Sequence, residues 1–364
     1  MAKIRVLVVD DSVVIRRMLS DCLASDPELE VVGTAADGHI GLAKITQLAP
    51  DLVTLDMEMP VMGGIETLKA IRKTHPRLPV IMFSTLTERG AAATLDALSF
   101  GANDYVTKPA NVGSVSVALQ RIQDELVPKI KALCRRPAVS APRPMVRILP
   151  SAAAAGVARI DLLAIGVSTG GPNALVAMLP ELAVNFPVPI VIVQHMPPLF
   201  TRLLAERIST ISGRRAREGE AGAMLMPGDI WIAPGGFHME VEKAPQGARL
   251  RLHEGPPECS CRPAVDVLFR SVAQVFGNRA LGVVLTGMGQ DGLVGSQHIR
   301  EAGGQILAQD EASSVVWGMP GAVSQAGLAE KILPLNEIAN EINYRVQAGT
   351  PRHRPFSPVI LSTP

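Results

Sequence analysis

Asp10, Asp11 and Asp56 each stand where an apolar run stops, and Thr107-Lys108-Pro109 closes a later run. The runs are R-V-L-V-V-D-D near the start and D-L-V-T-L-D-M-E-M-P around Asp56. Carboxylates gathered at the ends of parallel strands make an anionic pocket that suits a hard divalent cation and, with it, a phosphoryl group. A lysine reaching into that pocket offsets the added charge. The first third of the chain therefore reads as a phosphorylation switch. Asp56 would accept a phosphoryl group from a phosphohistidine donor, while Asp10, Asp11 and the backbone carbonyl of Glu58 hold Mg²⁺. Ser84 would hydrogen-bond the new group and Lys108 would pair with it. The plainer reading has Asp11 or Ser12 capping a helix and Asp56 merely ending a strand. It leaves acid, acid, hydroxyl and lysine at successive strand ends unexplained.

A second set of reactive side chains occupies the other half. Ser168 lies in G-V-S-T-G-G-P, His195 in V-Q-H-M-P and Asp291 in T-G-M-G-Q-D-G, each following an apolar run. Ser168 stands at the entrance to a helix whose free N–H groups face developing negative charge. A serine needs a base at neutral pH, and a histidine has the right range. An aspartate would fix the imidazole tautomer and stabilise the imidazolium. The chain order Ser, His, Asp differs from that of α/β-hydrolases, and G-V-S-T-G lacks their G-x-S-x-G elbow. A distinct serine-hydrolase fold is expected. Taken singly, Ser168 or Thr169 could cap a helix, His195 could end a strand and Asp291 could be an N-cap. Their joint placement argues against that.

The elements that must position these groups are legible. Strands are predicted at Val6–Val9, Val31–Ala35, Leu52–Asp56, Val80–Ser84 and Tyr105–Thr107. Ile15, Met18, Leu19, Cys22 and Leu23 have the spacing of one buried helix stripe. Five βα units predict a doubly wound parallel sheet with its site beyond the strands' carboxyl ends. From Ile160 the alternation resumes, with strands at Leu162–Gly166, Ile190–Val193, Asp229–Ala233, Leu281–Leu285 and Gln305–Ala308. Helices are expected at Ala264–Phe276 and Gly292–Ala302. Between the two patterns, residues 126–160 carry five prolines and seven Lys or Arg without an acid. After a helical extension from Ser114–Val127, this segment reads as a solvated basic tether.

Composition narrows the class. The 364 residues are 47% hydrophobic, enough for two cores. A formal net charge of +1 and 3% aromatic content favour neither nucleic acid nor an acidic membrane surface. Cys22, Cys134, Cys259 and Cys261 are scattered, and Cys259-Ser-Cys261 lacks the spacer of a zinc or redox pair. With no signal-like leader and no membrane-length apolar run, a cytoplasmic, non-membrane protein is expected.

V-L-V-V-D-D-S, L-V-T-L-D-M-E-M-P-V-M-G-G and Y-V-T-K-P resemble the receiver domain of bacterial response regulators, over about residues 4–122. That resemblance implies phosphorylation of Asp56 by a histidine kinase, with Ser84 and Tyr105 as the switch pair. The motifs G-V-S-T-G-G-P, V-I-V-Q-H-M-P-P-L-F-T, I-A-P-G-G-F-H-M, C-R-P-A-V-D-V-L-F, L-T-G-M-G-Q-D-G and A-Q-D-E-A-S-S-V-V-W-G-M-P resemble the chemotaxis protein-glutamate methylesterases (CheB), over roughly residues 159–346. The implied organisation is a flavodoxin-like receiver (1–124), a linker (125–158), a Rossmann-like methylesterase domain (159–348) and a disordered tail (349–364). Ser168 is then the nucleophile, His195 the base, Asp291 its orienting carboxylate and Met288 N–H an oxyanion donor. Thr169 and His238 take supporting places near the pocket. The substrate implied is a glutamyl methyl ester on a chemoreceptor, with receptor glutamine as a second substrate. No cofactor is implied for that hydrolysis. An unphosphorylated receiver would cover the site.

Two other classes compete. A dinucleotide oxidoreductase would need an acid after the second strand, where Gln194-His195 stands. A receiver joined to a DNA-binding module would need a compact basic helix-turn-helix, not about 190 residues of α/β pattern.

Overall fold

The computed structural model describes residues 2–108, 115–134 and 159–348. The expected tether over 135–158 and the tail over 349–364 lie outside the described residues.

The first unit alternates β1 (Ile4–Val9), α1 (Val13–Ala24), β2 (Leu29–Ala35), α2 (Gly38–Leu48), β3 (Leu52–Asp56), α3 (Gly64–Thr74), β4 (Val80–Ser84), α4 (Glu88–Ser99), β5 (Asp104–Thr107) and α5 (Val115–Cys134). Its sheet runs β2-β1-β3-β4-β5, parallel throughout. The strands β3 and β4 are buried along their whole length, so their apolar runs carry no alternation. Ser12 does cap α1, its hydroxyl accepting from Ile15 N–H. The expected stripe is real at Leu19, Cys22 and Leu23, which are buried. Helix α5 runs through Pro128 to Cys134, as the expected extension required.

The second unit contains β6 (Leu162–Val167), α6 (Gly171–Met178), β7 (Ile190–Gln194), α7 (Phe200–Ser212), β8 (Ala216–Glu218), β9 (Ile230–Ile232), β10 (His238–Ala244) and β11 (Gly247–His253). It continues with α8 (Val265–Phe276), β12 (Ala280–Val284), α9 (Leu293–Glu301), β13 (Gln305–Gln309), α10 (Met319–Gln325), β14 (Lys331–Leu333) and α11 (Leu335–Ala348). The seven-stranded sheet has the order β14-β13-β12-β6-β7-β9-β8 and is parallel. From β6 the chain winds outward through β7, then returns to place β12 on the other side. The switch point between β6 and β12 is where a doubly wound sheet opens a crevice. The β10–β11 hairpin was not anticipated from the sequence. Met239, Val241, Ala248 and Leu250 point to the core, while Glu242 and Glu240 face Arg249 and Arg251 across the strands.

The two units share one apolar cluster. It runs from Leu95, Leu98 and Tyr105 of the first to Leu175, Phe200 and Leu204 of the second. Among the described residues no helix is long and apolar enough to cross a membrane.

Candidate catalytic and phosphoacceptor sites

Ser168, His195 and Asp291 come from the carboxyl ends of β6, β7 and β12, on either side of the switch point. The Ser168 backbone is fixed on three sides. Its N–H donates to Thr286 O (3.0 Å), and its carbonyl accepts from Gly171 N (2.8 Å) and Gln194 Nε2 (3.0 Å). Gly170 then begins α6 at φ +79, where a Cβ would also meet Val315 at 2.6 Å. Only glycine fits that corner. Thr169 continues the lattice, its carbonyl accepting from Thr286 Oγ1 at 2.9 Å.

Asp291 is 2% exposed and accepts from His195 Nε2 at 2.8 Å. The same carboxylate accepts Val265 N (2.7 Å) and Asp266 N (2.9 Å), the opening N–H groups of α8, which has no side-chain cap of its own. Asp266 returns the favour, accepting Gly292 N (3.0 Å) and Gly295 N (2.6 Å) at the start of α9. Each of the two loops thus caps the other's helix. The plain N-cap reading of Asp291 is correct in part, and it coexists with the imidazole contact. Burial alone would raise the Asp291 carboxyl, but the His195 ring and the α8 donors hold it below its usual range. For His195 burial opposes the charged ring, yet the Asp291 carboxylate and then the Cys261 side chain carry it up to about 9. The shift favours the charged form of the ring.

Nε2 faces Asp291, so Nδ1 is the ring nitrogen directed away from that carboxylate. The expected Ser168–His195 hydrogen bond is not made: the hydrogen bonds of Ser168 run through its backbone. The two residues instead line one cavity of about 280 Å³, together with Thr169, Gly170, Met288 and Cys261. Cys261 arrives there on a tight turn, with Cys259 at φ +49 and Ser260 at φ +63. His238 is not among the residues that line the cavity. It is 1% exposed, bonded through Nε2 to Pro256 O (3.0 Å) and tilted against His253.

Sequence reasoning assigned no role to Gln194, Asp266, Thr286 or Gln309, which hold the loops. Gln309 is fully buried and accepts Thr286 N at 2.8 Å. Each sits in a motif the resemblance rested on, but its partner lies in another loop, so residue type alone gave no role.

The opposite wall of the cavity belongs to the first unit: Leu98, Asp104, Tyr105, Glu125 and Lys129. Tyr105 is buried and stacks on Phe200, centroids 4.7 Å apart at 7°. Asn173 Nδ2 donates to Leu98 O at 2.7 Å, and Arg202–Glu88 (2.6 Å) and Arg207–Asp96 (2.9 Å) flank the contact.

At the other end of β4 and β5 lies the acidic pocket. Oxygens of Asp10, Asp11 and Asp56 fall within 4.8 Å of one another. Lys108 Nζ reaches Asp56 Oδ2 (2.7 Å) and Asp10 Oδ2 (3.1 Å). Those two oxygens are buried and accept no hydrogen bond of normal geometry, and the Lys108 ammonium is the positive charge that faces them. Burial pushes the Asp56 carboxyl up to about 6; Asp10 adds to the rise and Lys108 restrains it. Glu58 N–H points back at Asp56 Oδ1 (3.4 Å). Ser84 is turned away from Asp56: its hydroxyl donates to Gly90 O (3.2 Å) and accepts from Thr94 Oγ1 (2.7 Å).

The comparisons with known proteins agree on both halves. Residues 163–342 match the CheB methylesterase family and residues 6–120 the response regulator receiver domain. A protein-glutamate methylesterase/protein-glutamine glutaminase of Trichodesmium erythraeum is 52% identical over 95% of this chain and 100% of its own. Another, of a Nocardioides species, is 53% identical over 96% and 98%. The crystal structure of the Thermotoga maritima CheB methylesterase catalytic domain superposes with a TM-score of 0.50 at 37% identity, covering 52% of this chain and 99% of that one.

Proposed function

This chain belongs to the protein-glutamate methylesterase/protein-glutamine glutaminase family, and from that premise we propose that Ser168, His195 and Asp291 are its hydrolytic groups. It is a phosphorylation-regulated hydrolase of chemotaxis, removing methyl esters from receptor glutamates and deamidating receptor glutamines. The observation that carries the residue assignment is the buried 2.8 Å His195–Asp291 contact opening into the cavity that Ser168 lines.

Ser168 Oγ attacks the ester carbonyl while His195 Nδ1, once deprotonated, takes its proton. The oxyanion forms between Met288 N–H and the start of α6. His195 returns the proton to the leaving group, which departs as methanol from the ester or as ammonia from glutamine. A water then attacks the acyl-serine, His195 again acting as base, and the receptor keeps a glutamate. Thr169 contacts the reacting side chain at the cavity edge. Asp291 holds Nε2–H, so the free lone pair stays on Nδ1.

Regulation enters through Asp56, phosphorylated by a histidine kinase. Asp10, Asp11, Asp56 and the Glu58 carbonyl would hold Mg²⁺, an assignment supported by the two oxygens that lack normal hydrogen bonds. Bound there, the ion offsets the negative charge of the pocket and of the incoming phosphoryl oxygens. Lys108 pairs with the phosphoryl group. Ser84 leaves Gly90 and Thr94 to bond it, loosening α4, while Tyr105 leaves Phe200. The receiver wall then separates from the cavity and the receptor helix enters.

The test is methanol release from methylated receptor membranes, with and without a small phosphodonor and Mg²⁺. Wild type should accelerate with phosphodonor, and Ser168→Ala should fall to the oxyanion-hole residue of catalysis, roughly 10³–10⁴-fold over water. Full activity in Ser168→Ala would reject the assignment.

A further inference from the structure

We propose that Asp104 of the receiver is a built-in product mimic, its carboxylate occupying the place in the catalytic cavity that the product glutamate takes. The proposal rests on the hydrolase reading above and specifies how the resting site is closed.

Asp104 is 6% exposed, at the first position of β5. Its Oδ2 accepts a buried hydrogen bond from Thr169 Oγ1 at 2.8 Å. Thr169 adjoins Ser168 and immediately precedes the first turn of α6. Among the described residues, Asp104 is the receiver carboxylate bonded beside Ser168; Glu88 and Asp96 pair with arginines on the outer face of α7. Asp104 Oδ1 accepts Tyr105 N (2.8 Å) and lies 3.4 Å from Lys129 Nζ. Lys129 is itself fixed by Tyr105 O (2.6 Å) and Glu125 (3.1 Å). The acid is thus aimed and charge-balanced, not an accidental contact.

The chemistry gives the arrangement its meaning. Hydrolysis leaves a carboxylate where an ester carbonyl stood, and aspartate differs from the product glutamate by one methylene. A carboxyl oxygen of substrate or product and Asp104 Oδ2 cannot both take the Thr169 hydroxyl proton. The positive end of α6 favours an acidic or developing oxyanion group from either source. Simple adhesion would need no carboxylate in this cavity, since the Tyr105–Phe200 stack and the flanking ion pairs supply contact elsewhere. The residue thereby makes occupancy by substrate and docking of the receiver mutually exclusive.

Full-length protein tests this by methanol release without phosphodonor. Asp104→Ala should raise the resting rate at least tenfold, with the phosphodonor-stimulated rate within twofold of wild type. Asp104→Asn, which preserves packing, should raise it at least threefold. Asp96→Ala, which removes the Arg207 pair from the same interface, should change it less than twofold. Phosphate uptake at Asp56 checks that each receiver is folded. In a Ser168→Ala background, a receptor-segment peptide carrying glutamate at the modified position should bind at least tenfold tighter when Asp104 is also alanine, by calorimetry. Resting rates unchanged in both Asp104 variants, while phosphodonor still activates wild type, overturn the proposal. So does a faster rate with unchanged peptide affinity, which would make Asp104 mere adhesive. If phosphorylated wild type releases no methanol, the hydrolase reading itself is at fault.

Discussion

Replacing Asp291 by Asn separates the two jobs its carboxylate performs. The side chain accepts from His195 Nε2 (2.8 Å), Val265 N (2.7 Å), Asp266 N (2.9 Å) and Gly292 N (2.9 Å). An amide has one acceptor oxygen and one NH₂. Gly292 N keeps Asp266 Oδ1 as a second acceptor, so whichever way the amide turns, one buried N–H at the start of α8 faces another donor. An orphaned buried donor costs about 1–3 kcal/mol, and breaking a buried ion pair about 3–5 kcal/mol with that penalty included. We therefore take a loss of about 3 kcal/mol, which for a domain near 200 residues lowers its melting temperature by about 6–12 °C. The amide also holds the wrong imidazole tautomer, for which a loss of about 10⁴ in kcat is the expected scale. Phosphodonor-activated methanol release and a thermal melt of the same preparation read both effects. Ser168→Ala is the companion: its side chain makes no hydrogen bond here, so it should lose activity with a shift of about 2 °C or less. An Asp291→Asn enzyme that keeps kcat within tenfold of wild type, or melts where wild type does, would refute the reasoning.

The His195 imidazolium, with its ordinary value near 6.5 raised to about 9, contributes stability fully present below about pH 6.5 and lost as pH climbs through 9. Melting temperatures should show the Asp291→Asn penalty shrinking between pH 6 and pH 10. For the same reason the resting rate of wild type should climb about tenfold from pH 7 to pH 8 and bend near pH 9; a flat profile contradicts the charged ring. Asp56, raised from 3.8 to about 6, costs the folded receiver stability that sets in as pH rises from about 4 to 6. Asp56→Asn should therefore melt higher than wild type at pH 7.5 without Mg²⁺, equally at pH 4, and fail to take up phosphate. Gly287→Ala would bring a Cβ to 2.4 Å from Met319 Sδ and 2.9 Å from Ser168 Cβ. The thioether can swing aside but the serine cannot, so kcat should drop at least tenfold while the melting temperature moves by only a few degrees.

Strand ends were the most legible part of this chain. Leu52–Asp56 and Val80–Ser84 have the bounds the sequence suggested, because a strand buried on both faces reads as a mostly apolar run, and each ends on a polar residue. That same rule predicts Asp10, Asp56, Ser84, Lys108, Ser168 and His195 at the carboxyl edges of their sheets. The β10–β11 hairpin escaped although its signal was present. Met239, Val241, Ala248 and Leu250 alternate with charged residues, a period of two that a search for buried βα strands passes over.

What lies along the chain was therefore decided by the residues themselves: two families of βα units, an acidic pocket, and a serine, a histidine and an aspartate at strand ends. What lies across it was decided only by folding. Asp291 caps α8 and Asp266 caps α9 because two distant loops meet at one switch point. The raised pKa of His195 follows from that meeting, which sets the Asp291 carboxylate and the Cys261 side chain against the ring. The closure of the cavity by Asp104, Tyr105 and Lys129 depends on how one unit docks on the other. Hydrophobic period and residue type are local properties of a sequence. Hydrogen-bond partners and desolvation belong to whatever the fold brings near, and no spacing along the chain encodes them.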